Sequence, residues 1–415
     1  MTASQRASRR IVFGAFSRIR GGRLVLVEPD GRRFAFGEPR GDLAAEIRVH
    51  SPRFYRAVLG GTIGLGEAYR DGVWDTDDPV ILTRIACRNL PALDRWRRRA
   101  KPLLAPLHRT LWRVPRNTRR KSRRHISSHY DLGNDLFALF LDESMMYSSA
   151  WFPHPEASLA EAQEARLDRV CRTLEVGPDD HVLEIGSGWG GFAVHAASRF
   201  GCRVTTTTIS AEQREGALRR IATAGLEDRV TVLLDDYRDL HGHYDKLVSL
   251  EMIEAVGWQY FDQFFRSCSE LLEPEGMMFL QAIVIDDRAY ELEKAARSFA
   301  NTLIFPGGCL PSVEVIQSCV ASQTDLSTVW LEDISPHYAE TLRHWRRRFL
   351  ANSDLAGELG YDERFRRLWT LWLAMSEAGF RERRVRDVQM LFAKPGRAPS
   401  LAESYGRLGA EASSI

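Results

Sequence analysis

Two stretches of this chain carry residue types whose spacing could do chemistry. The first is Gly186-Ser-Gly188-Trp-Gly190-Gly191, which follows the strand-like run HVLEIG (181–186) and opens the helical pattern GGFAVHAASRF. Glycines at a strand-to-helix junction let the backbone turn tightly and approach a ligand at the helix N-terminus. Gly186, Gly188 and Gly191 also satisfy the GxGxxG spacing of dinucleotide-binding folds. Such folds place an Asp or Glu about 20 residues further on, for the ribose diol. Here that region reads Thr205-Thr-Thr-Thr208-Ile-Ser, with no acid before Glu212. The loop alone is compatible with a bare tight turn, a dinucleotide or another nucleoside cofactor. The second stretch is SLEMIEAVG, which places Glu251 and Glu254 just after the strand-like run YDKLVSL (244–250). Ligand sites in parallel sheets lie beyond the carboxyl ends of strands, so either carboxyl is placed to hold a ligand or a proton. Glu251 could equally cap a helix or contact cofactor, and a surface salt bridge is the bland alternative.

The elements that must position these residues alternate along the second part of the chain. RVTTTTI (203–209), RVTVLL (229–234) and MMFLQAIVI (277–285) read as further strands, and AEQREGALRRIATAG as a helix ending at Gly225. DVQMLFAK (387–394) reads as a late strand. This alternation predicts an α/β fold with a doubly wound, mainly parallel sheet. Residues 286–380 are too long for a simple crossover and predict a mostly helical cap over the site. The first part predicts a small α+β unit. GGRLVLVEPDGRRFAFGE is a hairpin pattern turning at Asp30-Gly31, helical patterns cover 50–58 and 77–99, and Gly60, Gly61, Gly64 and Gly66 punctuate the interval between them. The expected division is a domain over 1–118, a second over 119–397 and a frayed tail over 398–415.

Composition is ordinary for a globular chain of 415 residues, at 44% hydrophobic and 27% charged. No run is long and apolar enough to span a bilayer, and the N-terminal apolar stretch is too brief for a signal peptide. The six cysteines form no CxxC or Cys/His cluster, so neither a metal site nor a disulfide framework is expected. These features predict a cytoplasmic protein. The net charge of +2 conceals a strong asymmetry. Residues 95–124 hold thirteen Lys and Arg and no acid, which leaves 44 basic against 55 acidic residues elsewhere, a net of −11. A basic block attracts polyanions. Trp96, Leu103, Leu104, Leu107, Leu111 and Trp112 are interleaved with it, a mixture suited to an anionic lipid surface. A solvated linker and a nucleic-acid contact are the alternatives.

LEIGSGWGGFA looks like the first loop of S-adenosylmethionine-dependent methyltransferases. More specifically, SHYDLGNDLFALFLDESMMYSSAWF (128–152), TISAEQ, DDYRDL, SLEMIEAVG, FPGGCLPS and HYAETLRHW resemble, in order, the motifs of cyclopropane fatty acid synthases and the related mycolic acid methyltransferases. The resemblance covers residues 125–395 and implies a class I methyltransferase core, with a lipid cavity roofed by the helical insert. It implies S-adenosylmethionine as cofactor. Tyr147 and Ser148 would touch its methionine end and Gly186 and Gly188 the loop. Thr208 and Gln213 would lie near the ribose, and Asp236 and Tyr237 would flank the adenine. It also implies a bound bicarbonate as base, held by Glu254, Tyr338 and backbone groups near Ser149 and Ile283. His129 and Asp131 would be structural or line the site. The implied substrate is an unsaturated phospholipid met at the inner face of the membrane, and the implied assembly a homodimer.

Two positions depart from the most familiar pattern of that family. Ser149 stands where many members have Cys, and Gln281 where many have His beside the bicarbonate, as in a branch that includes plant-type enzymes. Gln donates a hydrogen bond but carries no proton. The expected reaction is methylene transfer to a cis double bond, giving a cyclopropane. Methylation to a methyl- or methylene-branched chain is the alternative within the family. A non-catalytic lipid-binding homologue would have no reason to keep Glu254, Tyr338 and the full glycine loop. A nucleic acid methyltransferase would carry an Asn/Asp-Pro-Pro-Tyr/Phe-type motif, which is missing.

Overall fold

The structure, a computed structural model, describes residues 1–111 and 133–397. The C-terminal part of the basic block, His129, Asp131 and the tail from 398 lie outside the described residues. Among the described residues the strands form two sheets, one of four strands and one of seven.

The small sheet begins as the expected hairpin. β1 (Arg23–Val27) pairs antiparallel with β2 (Arg33–Gly37), with Val27 opposite Arg33 across the Asp30-Gly31 turn. Two further strands were not expected. β3 (Ala44–Val49) runs parallel to β1, and β4 (Trp74–Thr76) antiparallel to β3. β3 buries Ala45, Ile47 and Val49 on one face, the strand period of two. The helix Ala3–Phe16 and the helices Arg53–Leu59 and Gly61–Arg70 complete this unit. The glycine-rich interval is therefore helix rather than punctuation. A Cβ on Gly64 would come within 2.6 Å of the Ala57 carbonyl, and one on Gly66 within 2.2 Å of the Phe299 ring. Both glycines are set by close approach of neighbouring chain. The following helix, Pro79–Leu111, is longer than the sequence pattern suggested. Asp78 caps it, accepting from Val80 N (2.8 Å) and Ile81 N (3.0 Å), with Pro79 in the first turn where its missing N–H costs nothing.

The large sheet holds β5 (His181–Ile185), β6 (Arg203–Thr207), β7 (Val230–Leu233), β8 (Tyr244–Leu250) and β9 (Leu272–Ile285) in parallel. β11 (Val385–Ala393) inserts antiparallel beside β9, and β10 (Ser327–Asp333) closes the edge antiparallel to β11. The central strands are buried on both faces, which is why their sequences read as continuous apolar runs. Strand order reverses between β5 and β8, which places a crevice at their carboxyl ends. The insert between β9 and β11 is helical as expected, except that β10 interrupts it. Its helices Ser335–Ala351 and Glu363–Arg381 cover the carboxyl end of the sheet.

Sequence separates the two units more sharply than space does. Val12, Leu24, Phe54 and Trp74 of the first share one buried cluster with Trp345, Phe349 and Trp369 of the insert. Polar contacts follow the same seam. Glu382 accepts from Arg84 Nε (2.7 Å) and Arg88 Nε (2.9 Å). Asp94 pairs with both Arg384 and Arg97.

Gly66→Ala should destabilise the protein by about 1–3 kcal/mol, the usual cost of forcing a methyl into packed space, because the ring of Phe299 must move. Gly14 lies in the helix Ala3–Phe16, with nothing within 4 Å of an added Cβ. Gly14→Ala should be neutral or stabilising by up to ~1 kcal/mol. Thermal melts of the two variants check the contrast.

Candidate active site

The glycine loop leaves β5 with Gly186 at φ 103°, Gly188 at φ 48° and Gly190 at φ 83°, a backbone path open to residues without a side chain. Its start is held by β6, since Gly186 N and Ser187 N both donate to Thr207 O (3.0 and 2.9 Å). Trp189 Nε1 donates to Asn134 Oδ1 (2.7 Å). A Cβ on Gly186 would touch Met252, two residues before Glu254, so the loop abuts the acidic stretch. A Cβ on Gly188 would meet nothing within 4 Å. The loop thus presents open space at Gly188 beside the N-terminus of the helix Gly191–Phe200.

At the end of β6 the Thr208 hydroxyl donates to Gln213 Oε1 (2.8 Å), both side chains being buried. Asp236, beyond β7, holds Arg238 through both carboxylate oxygens (2.7 and 2.6 Å). Tyr237 packs edge-on against Phe264, and its hydroxyl is buried without a hydrogen-bond partner. Tyr147 lies in a wall of rings, 5.2 Å from both Phe137 and Trp345 and stacked at 6.4 Å on Phe305. The Ser148 hydroxyl accepts from Arg166 Nη2 (3.0 Å), and its carbonyl from Gln163 Nε2 (2.9 Å).

Beyond the ends of β8 and β9 several carboxyls are withdrawn from water. Glu251 takes φ 52°, rarely adopted by a residue other than glycine. That turn aims its carboxylate inward, where three donors meet it: Ser149 N (2.7 Å) and Gln281 Nε2 (2.8 Å) on Oε1, and the Tyr338 hydroxyl (2.6 Å) on Oε2. Gln281 Nε2 also reaches Asp387 Oδ2 (3.1 Å), and Gln281 Oε1 is fixed by Gln389 Nε2 (3.0 Å). Glu254 accepts from Ile283 N (2.6 Å) on Oε1, while Oε2 is buried without a partner. Arg166 is fully buried, with its Nε and Nη1 also unpartnered.

Burial dominates the electrostatics. It pushes the Glu254 carboxyl up to about 8, helped by the charge of Glu251. It also lifts Glu184, in β5, to about 8, against a bond from the Thr206 hydroxyl and the charge of Arg166. Asp387 is raised well above the carboxylate range by burial and by Glu251 and Glu254. Burial raises Glu251 too, but its three donors and Arg166 oppose the shift. Among these carboxyls Glu251 is the one whose charged form is met by the most donors.

The structure therefore rearranges part of what was expected of the site. Tyr338, Gln281 and the Ser149 backbone do meet at one place, but they converge on Glu251. Of the groups assigned to a bicarbonate, only Ile283 N goes to Glu254. The Ser149 hydroxyl turns away, donating to Ala150 O (2.9 Å). The donors for a small anion are already in use, so the residues present do not fit a bound bicarbonate. S-adenosylmethionine fits: the loop offers open backbone at Gly188, and Thr208 and Gln213 supply polar groups where a dinucleotide site would need an acid. Asp387, Arg166, Glu184 and Gln389 were missed. Asp387 and Gln389 lay inside a run read as strand, and Arg166 on a helix with a polar pattern. Among the described residues no group of His, Cys, Asp and Glu is arranged to hold a metal.

A glycine loop at the switch point of a seven-stranded sheet, with a non-acidic second strand, defines an S-adenosylmethionine-dependent methyltransferase of class I. Residues 117–390 match the family described as mycolic acid cyclopropane synthetase, and the chain belongs to that family. It is 40% identical over 370 residues to tuberculostearic acid methyltransferase of Mycobacterium tuberculosis, covering 86% of this chain and 84% of that one. It is 36% identical over 358 residues to cyclopropane-fatty-acyl-phospholipid synthase of Escherichia coli, covering 85% and 89%. The crystal structure of a mycolic acid cyclopropane synthase complexed with SAH and CTAB superposes with a TM-score of 0.61 at 29% identity, over 66% of this chain and 98% of that one.

Two outcomes follow from the site. Gly188→Val should abolish S-adenosylmethionine binding, read by calorimetry, because its side chain fills the open space and its φ disfavours a branched residue. The second concerns pH. Glu184 and Glu254 keep protons in the folded state that the unfolded chain gives up from about 4.5. Their contribution to stability is fully present below that value and is lost as pH rises towards about 8. The melting temperature should therefore fall between about pH 6 and about pH 8.5. Glu184→Gln should recover roughly 2–4 °C of that fall.

Proposed function

We propose that the chain methylates a carbon of the cis double bond in an unsaturated acyl chain of a membrane phospholipid and closes a cyclopropane ring. The observation that carries this reading is an acid cluster set in aromatic and apolar walls against the cofactor loop. Tyr338 stacks on Phe380 at 4.4 Å and meets Trp345 edge-on at 6.1 Å, and Phe305 meets Trp372 at 5.4 Å. The E. coli relative bears a name describing such a reaction, which supports the reading.

An alkene is a weak nucleophile, and S-adenosylmethionine supplies the strong electrophile it needs, a sulfonium methyl. The residues of the chain have three tasks. The glycine loop with Thr208 and Gln213 orients the cofactor. The aromatic walls exclude water, which would otherwise capture a cation on the acyl chain, and ring faces attract positive charge. A buried carboxylate takes the proton whose loss ends the reaction. A second reading, a methyl- or methylene-branched product, is favoured by the 40% identity to tuberculostearic acid methyltransferase. The ring closes when the new methyl loses a proton and its C–H pair bonds to the cationic carbon. A methyl-branched olefin forms when a neighbouring chain carbon loses the proton instead. A methylene branch forms when a 1,2-hydride shift first moves the cation to the methylated carbon and the methyl then loses its proton.

We also propose that the basic block meets the anionic lipid surface. No helix among the described residues is long and apolar enough to cross a membrane. Arg98 and Arg99 are exposed, whereas Arg97 is tied to Asp94 and Glu293.

Expression in a bacterium lacking its own cyclopropane synthase should add one CH2 to the unsaturated acyl chains, seen by mass spectrometry of the methyl esters. Cyclopropyl protons in the NMR spectrum identify the ring, and olefinic methylene protons the branched alternative. Unchanged acyl chains despite expression and cofactor binding would reject both. Separately, Arg98, Arg99, Arg119 and Arg120 changed together to Gln should release the protein from phosphatidylglycerol vesicles in flotation. Salt should do the same to the parent, since exposed charges are screened beyond about 8–10 Å.

A further inference from the structure

We infer that Glu251 is the built-in base of this site: its side-chain carboxylate fills the cradle formed by Ser149 N, Gln281 Nε2 and the Tyr338 hydroxyl, so the reaction needs no bicarbonate or other exogenous anion. The inference deepens the function proposed above and rests on it for the identity of the proton donor.

Geometry carries the argument. Three donors from three separate elements converge on one carboxylate at 2.6–2.8 Å. Such a cradle favours the ionised form. Gln281 cannot exchange a proton, and its amide is oriented by Gln389, so it serves only to hold the charge. Glu251 takes a left-handed backbone to reach the cradle, a strained arrangement of the kind that clusters at functional sites. The rival, Glu254, has a single donor and a buried oxygen with no partner. Burial and the charge of Glu251 push the Glu254 carboxyl up to about 8, and fewer donors meet it than meet Glu251, so of the two carboxyls Glu251 is the better placed to carry the charge. Arg166, wholly buried, supplies the compensating positive charge.

The π pair of the alkene forms the bond to the transferred methyl, and the carbon–sulfur pair stays on sulfur as a neutral thioether. The second alkene carbon is left cationic. A C–H bond of the new methyl breaks, its electron pair closes the ring on that carbon, and the proton passes to Glu251. The acid so formed loses its proton to solvent before the next turnover.

The test uses the full chain, S-adenosylmethionine and dioleoyl-phosphatidylglycerol vesicles. Parent turnover should change less than about twofold when carbon dioxide and bicarbonate are stripped from the buffer. Glu251→Gln should lose ~10²-fold or more in turnover, the scale of lost acid–base assistance, while keeping its affinity for the cofactor. Glu254→Gln should lose much less. Glu251→Gly suits the positive φ, empties the cradle and should regain at least tenfold of its lost rate with added formate or bicarbonate, roughly an anion replacing a side chain. Titration with ¹³C-bicarbonate, read by NMR, gives a readout independent of lipid turnover: Glu251→Gly should bind and the parent should not. Saturable binding to the parent, parent activity that follows bicarbonate, or parent-like turnover by Glu251→Gln each overturns the inference. If the parent converts no lipid, the proposed function fails, and the ¹³C titration still decides whether Glu251 fills the anion's place.

Discussion

Burying Arg166, Glu184 and Asp387, and turning the carboxyls of the half-buried Glu251 and Glu254 toward them at one end of the sheet, costs free energy that the neighbouring structure has to offset. Only one of these groups is a cation. The rest must stay neutral or be met by donors, and this requirement explains otherwise unrelated features. It explains why the backbone at Glu251 bends into an unfavoured region, why two glutamines from adjacent strands bond to each other, and why a tyrosine from the insert reaches down to the end of β8. Each places a donor where a charge would otherwise be bare.

The glycine loop and the order of the sheet were legible because they are local. A strand, a turn of small residues and a helix occupy one short stretch, and the apolar runs of doubly covered strands stand out from their neighbours. The acid cluster was only half legible. Glu251 and Glu254 are three residues apart, and nothing in the sequence says which one the donors meet; the positive φ of Glu251 brings its carboxyl to them. Asp387 and Arg166 are separated from Glu251 by more than 80 residues each, and only the sheet and the helix Leu159–Thr173 bring them together. β10 escaped notice because STVWLED is an edge strand, half-exposed and lacking an apolar run. The helix Gly61–Arg70 escaped because glycine is a poor helix former, and the reason for its use, contact with Ala57 and Phe299, comes from tertiary structure.

The insert shows how a cap and a second unit can share one core. Its outward apolar face packs on the first unit, with Trp369 and Phe349 in the same cluster as Phe54 and Trp74. Its inward residues, Tyr338 among them, complete the site. The solved relative described above aligns with only 66% of this chain, so the catalytic fold has a shorter form in that protein.

Phe299, seated over Gly66, has a consequence for how the two units communicate. It precedes the wide turn Ala300–Ile304, which carries Phe305 to its stack on Tyr147. One ring is thus lodged in the first unit, and a ring six residues later lines the wall beside the cofactor loop. A shift of the first unit against the insert would act on that wall through a lever only six residues long. The first unit is thereby a support for the wall that Tyr147 and Phe305 form, and not merely its neighbour.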